Sequence, residues 1–267
     1  MQTYISPDVK NLLEANQLHD FEHFWNYRGE WFESPNHGRG GWSGVNRLAL
    51  KSPQGSELGL FLKRQQNYIR RTFLHPFSGV STFSCEFETI RHLFESGVGV
   101  PKLVFFSEKP SDDGMQAILV TEELCGYRAL DEVLREVLLD PARSRAQKSA
   151  LIKSAALTVR KLHDAGVQHR ALHPKHLMVN MQNPDAPRSV VIDFEKARPK
   201  FLAIRRALRD LSTLNRDLPF IGNKTRLYFF KHYLGVSKLG FSQKLLGKLI
   251  LRRSRKRMRK AALEALA

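Results

Sequence analysis

The chain has 267 residues, 42% of them hydrophobic, and its 43 Lys and Arg against 26 Asp and Glu leave a formal net charge of +17. That length buries a full core, a two-lobed domain is a natural size for it, and the charge calls for an anionic partner: nucleic acid, acidic phospholipid or phosphorylated glycolipid. Two distant cysteines, Cys85 and Cys125, fit neither a disulfide framework nor a zinc site and point to a reducing compartment, while no apolar run is long enough to span a bilayer and the N-terminus lacks the pattern of a secretory signal.

In chain order, Ser6 to Tyr27 predicts one amphipathic helix with Leu12, Leu13, Leu18, Phe21 and Trp25 on its apolar side. A first strand follows near Trp31 and Phe32. The loop PNHGRGG separates it from WSGVNRLAL, and a turn at SPQGS leads to LGLFLKRQ. FSCEFETIRHLFESG has helical spacing through Phe87, Ile90, Leu93 and Phe94 and stops at Gly97. VPKLVFFSEK and QAILVTEEL read as strands joined by SDDG. Beyond Gly126 the pattern is mainly helical, with helices over Ala129–Leu139 and Arg145–Gly166, a strand–turn–strand unit around MQNPDAPRS, and helices to the end. The reading divides the chain into an N-terminal helical extension (1–30), a strand-rich lobe (31–125), a helical lobe (126–240) and a basic amphipathic helix (241–267).

The segments HRALHPKHLMV and VVIDFEKAR carry the most chemistry. His169, Arg170, Leu172, Pro174, Asp193 and Phe194 stand where the protein-kinase signature H-R-D-L-x-x-x-N and D-F-G would place them. Ala171 stands in the slot of the catalytic-base aspartate, and Glu195 replaces the glycine after Phe. Together with RGGWSGV, FLKR, STFSCEFETIRHL and VTEELCGYRALDEVL, these blocks resemble the lipopolysaccharide kinase superfamily of the Kdo/WaaP type, and its InaA branch most, over roughly Arg39 to Leu218. The resemblance implies an α+β, two-lobed protein-kinase-like fold, with a five-stranded antiparallel sheet and one helix in the first lobe and a mainly helical second lobe. It also implies ATP and magnesium bound between the lobes.

By the same resemblance, Lys63 at the end of an apolar strand pairs with the phosphates and with a helix glutamate. Helix counting favours Glu86 for that partner over Glu88. Gly38, Arg39, Gly40 and Gly41 form a glycine-rich phosphate cover, because glycine lets backbone N–H groups approach phosphate oxygens. Glu122 and Leu124, at a strand end before Gly126, lie where a hinge would meet the adenine. Asp193 holds the metal, since carboxylate oxygen suits magnesium. His176 fills the slot of the second metal ligand, with a hydrogen-bonding or packing role an equal alternative, because imidazole is a poor magnesium ligand. Arg170 belongs to the catalytic loop, Asp210 anchors that loop, and His173 is placed to orient the acceptor hydroxyl or take its proton.

The expected function is phosphotransfer to a sugar hydroxyl of the lipopolysaccharide core. The alternative is a pseudokinase that binds nucleotide or a partner without turnover, because losing a general base costs about 10²–10⁴ in rate. Partners expected are a lipopolysaccharide core or another anionic glycan, with Arg205, Arg206 and Arg209 helping to bind it, and an anionic membrane surface met by KLLGKLILRRSRKRMRK. That tail lacks the interleaved aromatics of a base-stacking surface, which weighs against nucleic acid. The location implied is the cytoplasm of a Gram-negative bacterium, peripheral to its inner membrane.

Overall fold

A computed structural model describes residues 3–38, 40–52, 55–71, 77 and 79–264, with backbone alone from 260 onward. It divides into two compact units: residues 1–91 with 101–125, and residues 92–100 with 126–267.

The first unit is built on a six-stranded antiparallel sheet. Its strands are β1 (Thr3–Ile5), β2 (Trp31–Gly38), β3 (Gly41–Lys51), β4 (Glu57–Gln66), β7 (Leu103–Ser111) and β8 (Gly114–Glu122), in the order β1-β7-β8-β4-β3-β2. A two-stranded ribbon, β5 (Ile69–Arg70) with β6 (Val80–Ser81), leads into helix α3 (Thr82–Glu95). Five of the six sheet strands were expected; the sixth is β1, whose Thr3 faces Ser107 in register.

The single helix expected from Ser6 to Tyr27 is a short 3₁₀ turn, α1 (Lys10–Ala15) and α2 (Phe21–Trp25). The break is local. Gln17 has φ 59, which no helical residue adopts, and the Asp20 side chain accepts the His23 N–H to start α2 afresh. These helices belong to the core. Val9, Leu13, Phe21 and Phe24 pack with Leu48, Leu60, Leu62, Phe105, Ile118 and Val120, and the Phe24 and Phe105 rings lie 4.5 Å apart. Phe106, next along β7, points the other way and stacks on Phe87 of α3 at 4.4 Å. A sheet covered on both faces explains why β7 and β8 read as unbroken apolar runs rather than alternating ones.

The expected loop PNHGRGG is mostly strand. β2 continues through Gly38, which pairs with Gly41. Pro35 is tolerated because β2 is an edge strand with irregular register.

The second unit contains β9 (Tyr127–Ala129), α4 (Leu130–Leu139), α5 (Arg145–Asp164), β10 (Val167–Gln168), a 3₁₀ turn at Pro174–His176, β11 (Leu177–Asn180), β12 (Arg188–Val191), β13 (Arg198–Pro199), α6 (Ala203–Arg216), α7 (Asn223–Leu234) and α8 (Phe241–Glu264). Ser144 and Gln147 form a reciprocal capping box that starts α5. The strands form a three-stranded sheet β12-β11-β9 and a β10–β13 pair. α8 docks on α6 through buried Ile250 and through Ser254, whose hydroxyl donates to the Ser212 carbonyl at 3.0 Å.

Candidate active site

In the first unit, Lys63 lies on β4, flanked in register by Val45 of β3 and Leu119 of β8. Alternation along β4 sends Leu60 and Leu62 into the core beneath α1 and α2, and sends Lys63 and Gln65 to the opposite face. There they meet α3 at the spacing of one helical turn. Thr82 donates to the Gln65 side chain at 2.6 Å, and four residues on Glu86 accepts from Lys63 Nζ at 2.7 Å. Glu86 is 2% exposed and Lys63 23%. Glu88 pairs instead with Arg91 at 2.6 Å on an exposed face of α3.

The glycine segment is a tight hairpin tip. Gly40 has φ +79, and the Asn67 side chain donates to its carbonyl at 3.0 Å. A Cβ on Gly41 would lie 2.0 Å from the Gln66 carbonyl oxygen, so only glycine allows β3 to approach the end of β4 that closely. Gly38 has no such crowding. Arg39, expected to add charge there, lies outside the described residues.

At the expected hinge, Glu122 donates its backbone N–H to the Lys102 carbonyl and pairs with the Lys102 ammonium at 3.4 Å. Glu123 takes a two-pronged contact from Arg47 at 2.8 and 2.9 Å. Leu124, half-buried, follows. Gly59 makes room for this arrangement: a Cβ there would strike the Glu123 carboxylate.

In the second unit the loop after β10 is held by one carboxylate. Asp210 of α6, fully buried, accepts the His169 N–H at 2.7 Å and the Arg170 N–H at 2.8 Å. Arg170 has φ 69, a conformation that a non-glycine residue keeps only when its surroundings enforce it. His163 Nε2 lies 3.2 Å from the same carboxylate, and its Nδ1 lies 2.8 Å from the Tyr233 hydroxyl. Asp210 was expected as the loop anchor, but the support that Tyr233 and His163 give it was not legible in the sequence, because the three are 23 to 70 residues apart. Burial pushes the Tyr233 hydroxyl pKa well up, so it remains a donor.

His169 is buried beneath Phe194 and meets the Ile192 carbonyl through Nε2 at 2.9 Å. Burial lowers its pKa, outweighing that hydrogen bond and the nearby carboxylates. His176 Nδ1 lies 2.9 Å from the Ala171 carbonyl, which can only accept, so the ring carries its proton on Nδ1. Its Nε2 lone pair then faces Asp193 Oδ2 at 3.3 Å. Burial lowers the pKa of His176 too, against the pull of Asp193. Asp193 has φ 64 and is 40% exposed at its side chain. Two lone-pair donors directed at one another with no proton between them suit a shared cation, so the residues present fit a metal held by Asp193 with His176 beside it.

His173 Nδ1 meets Asp217 Oδ2 at 2.6 Å, and Arg216 grips the same carboxylate. Burial raises the Asp217 pKa, but the hydrogen bonds from Arg216 and His173 outweigh it and leave the carboxyl below its usual value. Asp217 was missed in the sequence because it lies 44 residues from its partner. Ala171 is buried at the aspartate slot, its carbonyl engaged by His176 and by the His173 N–H.

An antiparallel sheet whose central lysine is ion-paired to a helix glutamate, together with a mainly helical unit whose histidine–arginine loop precedes an aspartate on a left-handed residue, defines a protein-kinase-like fold. The model of the lipopolysaccharide kinase (Kdo/WaaP) family matches residues 22–233, and the chain belongs to that family. It is 30% identical over 199 residues to the protein InaA of Escherichia coli (strain K12), covering 74% of this chain and 84% of that one. It is 31% identical over 155 residues to the lipopolysaccharide core heptose(I) kinase WaaP of Pseudomonas aeruginosa, covering 55% of this chain and 58% of that kinase. In fold it matches a solved structure of WaaP in complex with acyl carrier protein, with a TM-score of 0.69 and 24% identity, covering 96% of this chain and 99% of that one.

Proposed function

We propose that this protein transfers the γ-phosphate of ATP to a sugar hydroxyl of a lipopolysaccharide core. The observation that carries the reading is the Lys63–Glu86 ion pair at 2.7 Å. A carboxylate buried that deeply is costly unless its cation holds a defined position, and a fixed ammonium is what a phosphate chain requires. Gly38, Gly40 and Gly41, with Arg39, cover the phosphates, and Glu122 and Leu124 border the adenine. Asp193, with His176 beside it, would hold magnesium, which when bound would neutralise phosphate charge.

In the transfer, the hydroxyl oxygen forms a bond to the γ-phosphorus, the bond to the bridging oxygen breaks, and ADP leaves. The hydroxyl proton passes to Nε2 of His173. Asp217 acts as the positioning residue: it holds Nδ1–H and leaves Nε2 as the acceptor, an arrangement that stands in for the carboxylate absent at Ala171. Asp210 holds the loop and Arg170 in place. Arg205 and Arg209 favour an anionic acceptor, whereas Arg206, expected beside them, is buried and donates to the Lys200 and Phe201 carbonyls; the basic face of α8 favours an anionic membrane surface at the inner face of a Gram-negative cytoplasmic membrane. The solved WaaP neighbour is in complex with acyl carrier protein, and we extend that partner class to this chain. An apolar cavity of about 690 Å³ between α4, α5, α6, α7 and α8 has the chemistry of an acyl chain.

Ala171 favours a second reading, a nucleotide-binding module without turnover. The purified protein, supplied with magnesium, ATP and isolated core oligosaccharide, separates the two. Transfer that survives in wild type and is lost in Asp193→Ala and His173→Gln supports the kinase. Nucleotide binding without transfer, with transfer gained in Ala171→Asp, supports the module. Absence of nucleotide binding overturns both.

A further inference from the structure

The second unit has a cavity of about 610 Å³ that Asp193, His176 and His173 do not line. Its wall carries six cationic side chains, Arg170, Arg198, Lys200, Arg205, Arg209 and Arg253, and no carboxylate. They come from the loop after β10, from β13 and the residue following it, from α6 and from α8. Among the described residues none of the six forms an ion pair with an Asp or Glu.

A solvated basic face would leave every donor in water; here Arg205 is exposed and the other five are half-buried, but three of their nitrogens are not in water. Arg198 Nη1, Arg209 Nε and Arg253 Nε are buried without a hydrogen-bond partner among the described residues. A buried guanidinium donor with nothing to donate to is expensive, and six like charges around one cavity add to that expense. Both penalties vanish if an oxyanion enters, because a guanidinium fork matches the spacing of phosphate oxygens. The walls are also fixed before any ligand arrives. Asp210 holds the Arg170 backbone in its left-handed conformation, and the Gln168 side chain donates to the Arg205 carbonyl at 2.7 Å.

We propose that this cavity binds a phosphate-bearing anion, a phosphomonoester or a pyrophosphate, at a site separate from the residues assigned to the nucleotide. The phosphate comes either from a phosphorylated sugar or from the free anion. The site stands whether or not the protein turns over ATP.

The test is calorimetric titration of the full chain with pyrophosphate and with glucose 6-phosphate, unphosphorylated glucose serving as control. Wild type, Asp193→Ala and the double variant Arg198→Gln/Arg253→Gln are compared. Pyrophosphate is expected to bind wild type and Asp193→Ala alike, and its affinity is expected to fall roughly tenfold or more in the double variant, the scale of losing charge-assisted hydrogen bonds. Tighter binding of glucose 6-phosphate than of pyrophosphate assigns the site to a phosphorylated sugar; the reverse assigns it to the free anion. Equal affinity in wild type and the double variant overturns the proposal, as does loss of pyrophosphate binding in Asp193→Ala alone. A readout on wild type covers the case of a misfolded variant: pyrophosphate should slow the modification of Arg198 and Arg253 by phenylglyoxal, followed by mass spectrometry, and unchanged rates would count against the site.

Discussion

Asp210 shows how one side chain can decide the geometry of a loop 40 residues away. Its two oxygens accept the N–H groups of His169 and Arg170, one each. Asp210→Asn replaces an acceptor oxygen with a donor and leaves one amide unpaired, so it is expected to destabilise the fold by about 2–4 kcal/mol in urea unfolding. A variant that unfolds at the wild-type midpoint would show that the loop holds itself. The histidines make a second expectation. Burial lowers the pKa of both His169 and His176 below that of a free imidazole. As pH falls through about 6.5 the unfolded chain takes up protons that the folded imidazoles refuse, so stability is full above that pH and declines below it. Urea midpoints measured at about pH 7.5 and about pH 5.5 should differ, with the lower pH weaker; identical midpoints would mean the two rings titrate normally. Glu86 and Glu88 put counting along a helix to the test. Counting favours Glu86, and the shared face of Lys63 and Gln65 on β4, matched by Thr82 and Glu86 one helical turn apart, bears that out.

At the scale of elements, the N-terminal segment departs most from its sequence pattern. Its apolar spacing is that of one long helix, yet Gln17 breaks it and both short helices lie on the sheet. Periodicity records which residues are buried and leaves open whether the backbone between them is continuous. Phe24 is fully buried against Phe105, so Phe24→Ala is expected to cost about 3–5 kcal/mol, the usual range for an emptied aromatic site. A loss below about 1 kcal/mol, the size of an ordinary surface change, would mean that residues 1–30 are an appendage. The β2–β3 hairpin teaches the same lesson in reverse. The run PNHGRGG reads as a loop, and pairing with β3 makes it strand through Gly38.

Across the whole molecule the net charge of +17 is unevenly used. Arg128 and Arg160 are spent in exposed pairs worth little each. Among the described residues, no Asp or Glu forms an ion pair with the cations around the cavity of the second unit or along α8. α8 is anchored by Ile250 and Ser254, and its Phe241, Leu245, Leu249, Leu251 and Met258 are exposed to meet a membrane. The full chain is therefore expected to sediment with vesicles containing anionic lipid, to release as salt rises past the point where the Debye length falls to about 8 Å, and to ignore neutral vesicles. Retention on neutral vesicles would place the apolar residues, and not the charge, in control.

The ordered blocks from RGGWSGV to VVIDFEKAR, the strands that surround them and the excess of cations were determined along the chain itself, because each is a local pattern of residue type and spacing. The tertiary structure alone decided that Asp217 holds His173, that Tyr233 and His163 support Asp210, and that arginines from a loop, a strand and two helices share one cavity. Those partners are far apart in sequence and carry no signal until folding brings a donor within about 3 Å of its acceptor, the range at which a hydrogen bond has any strength.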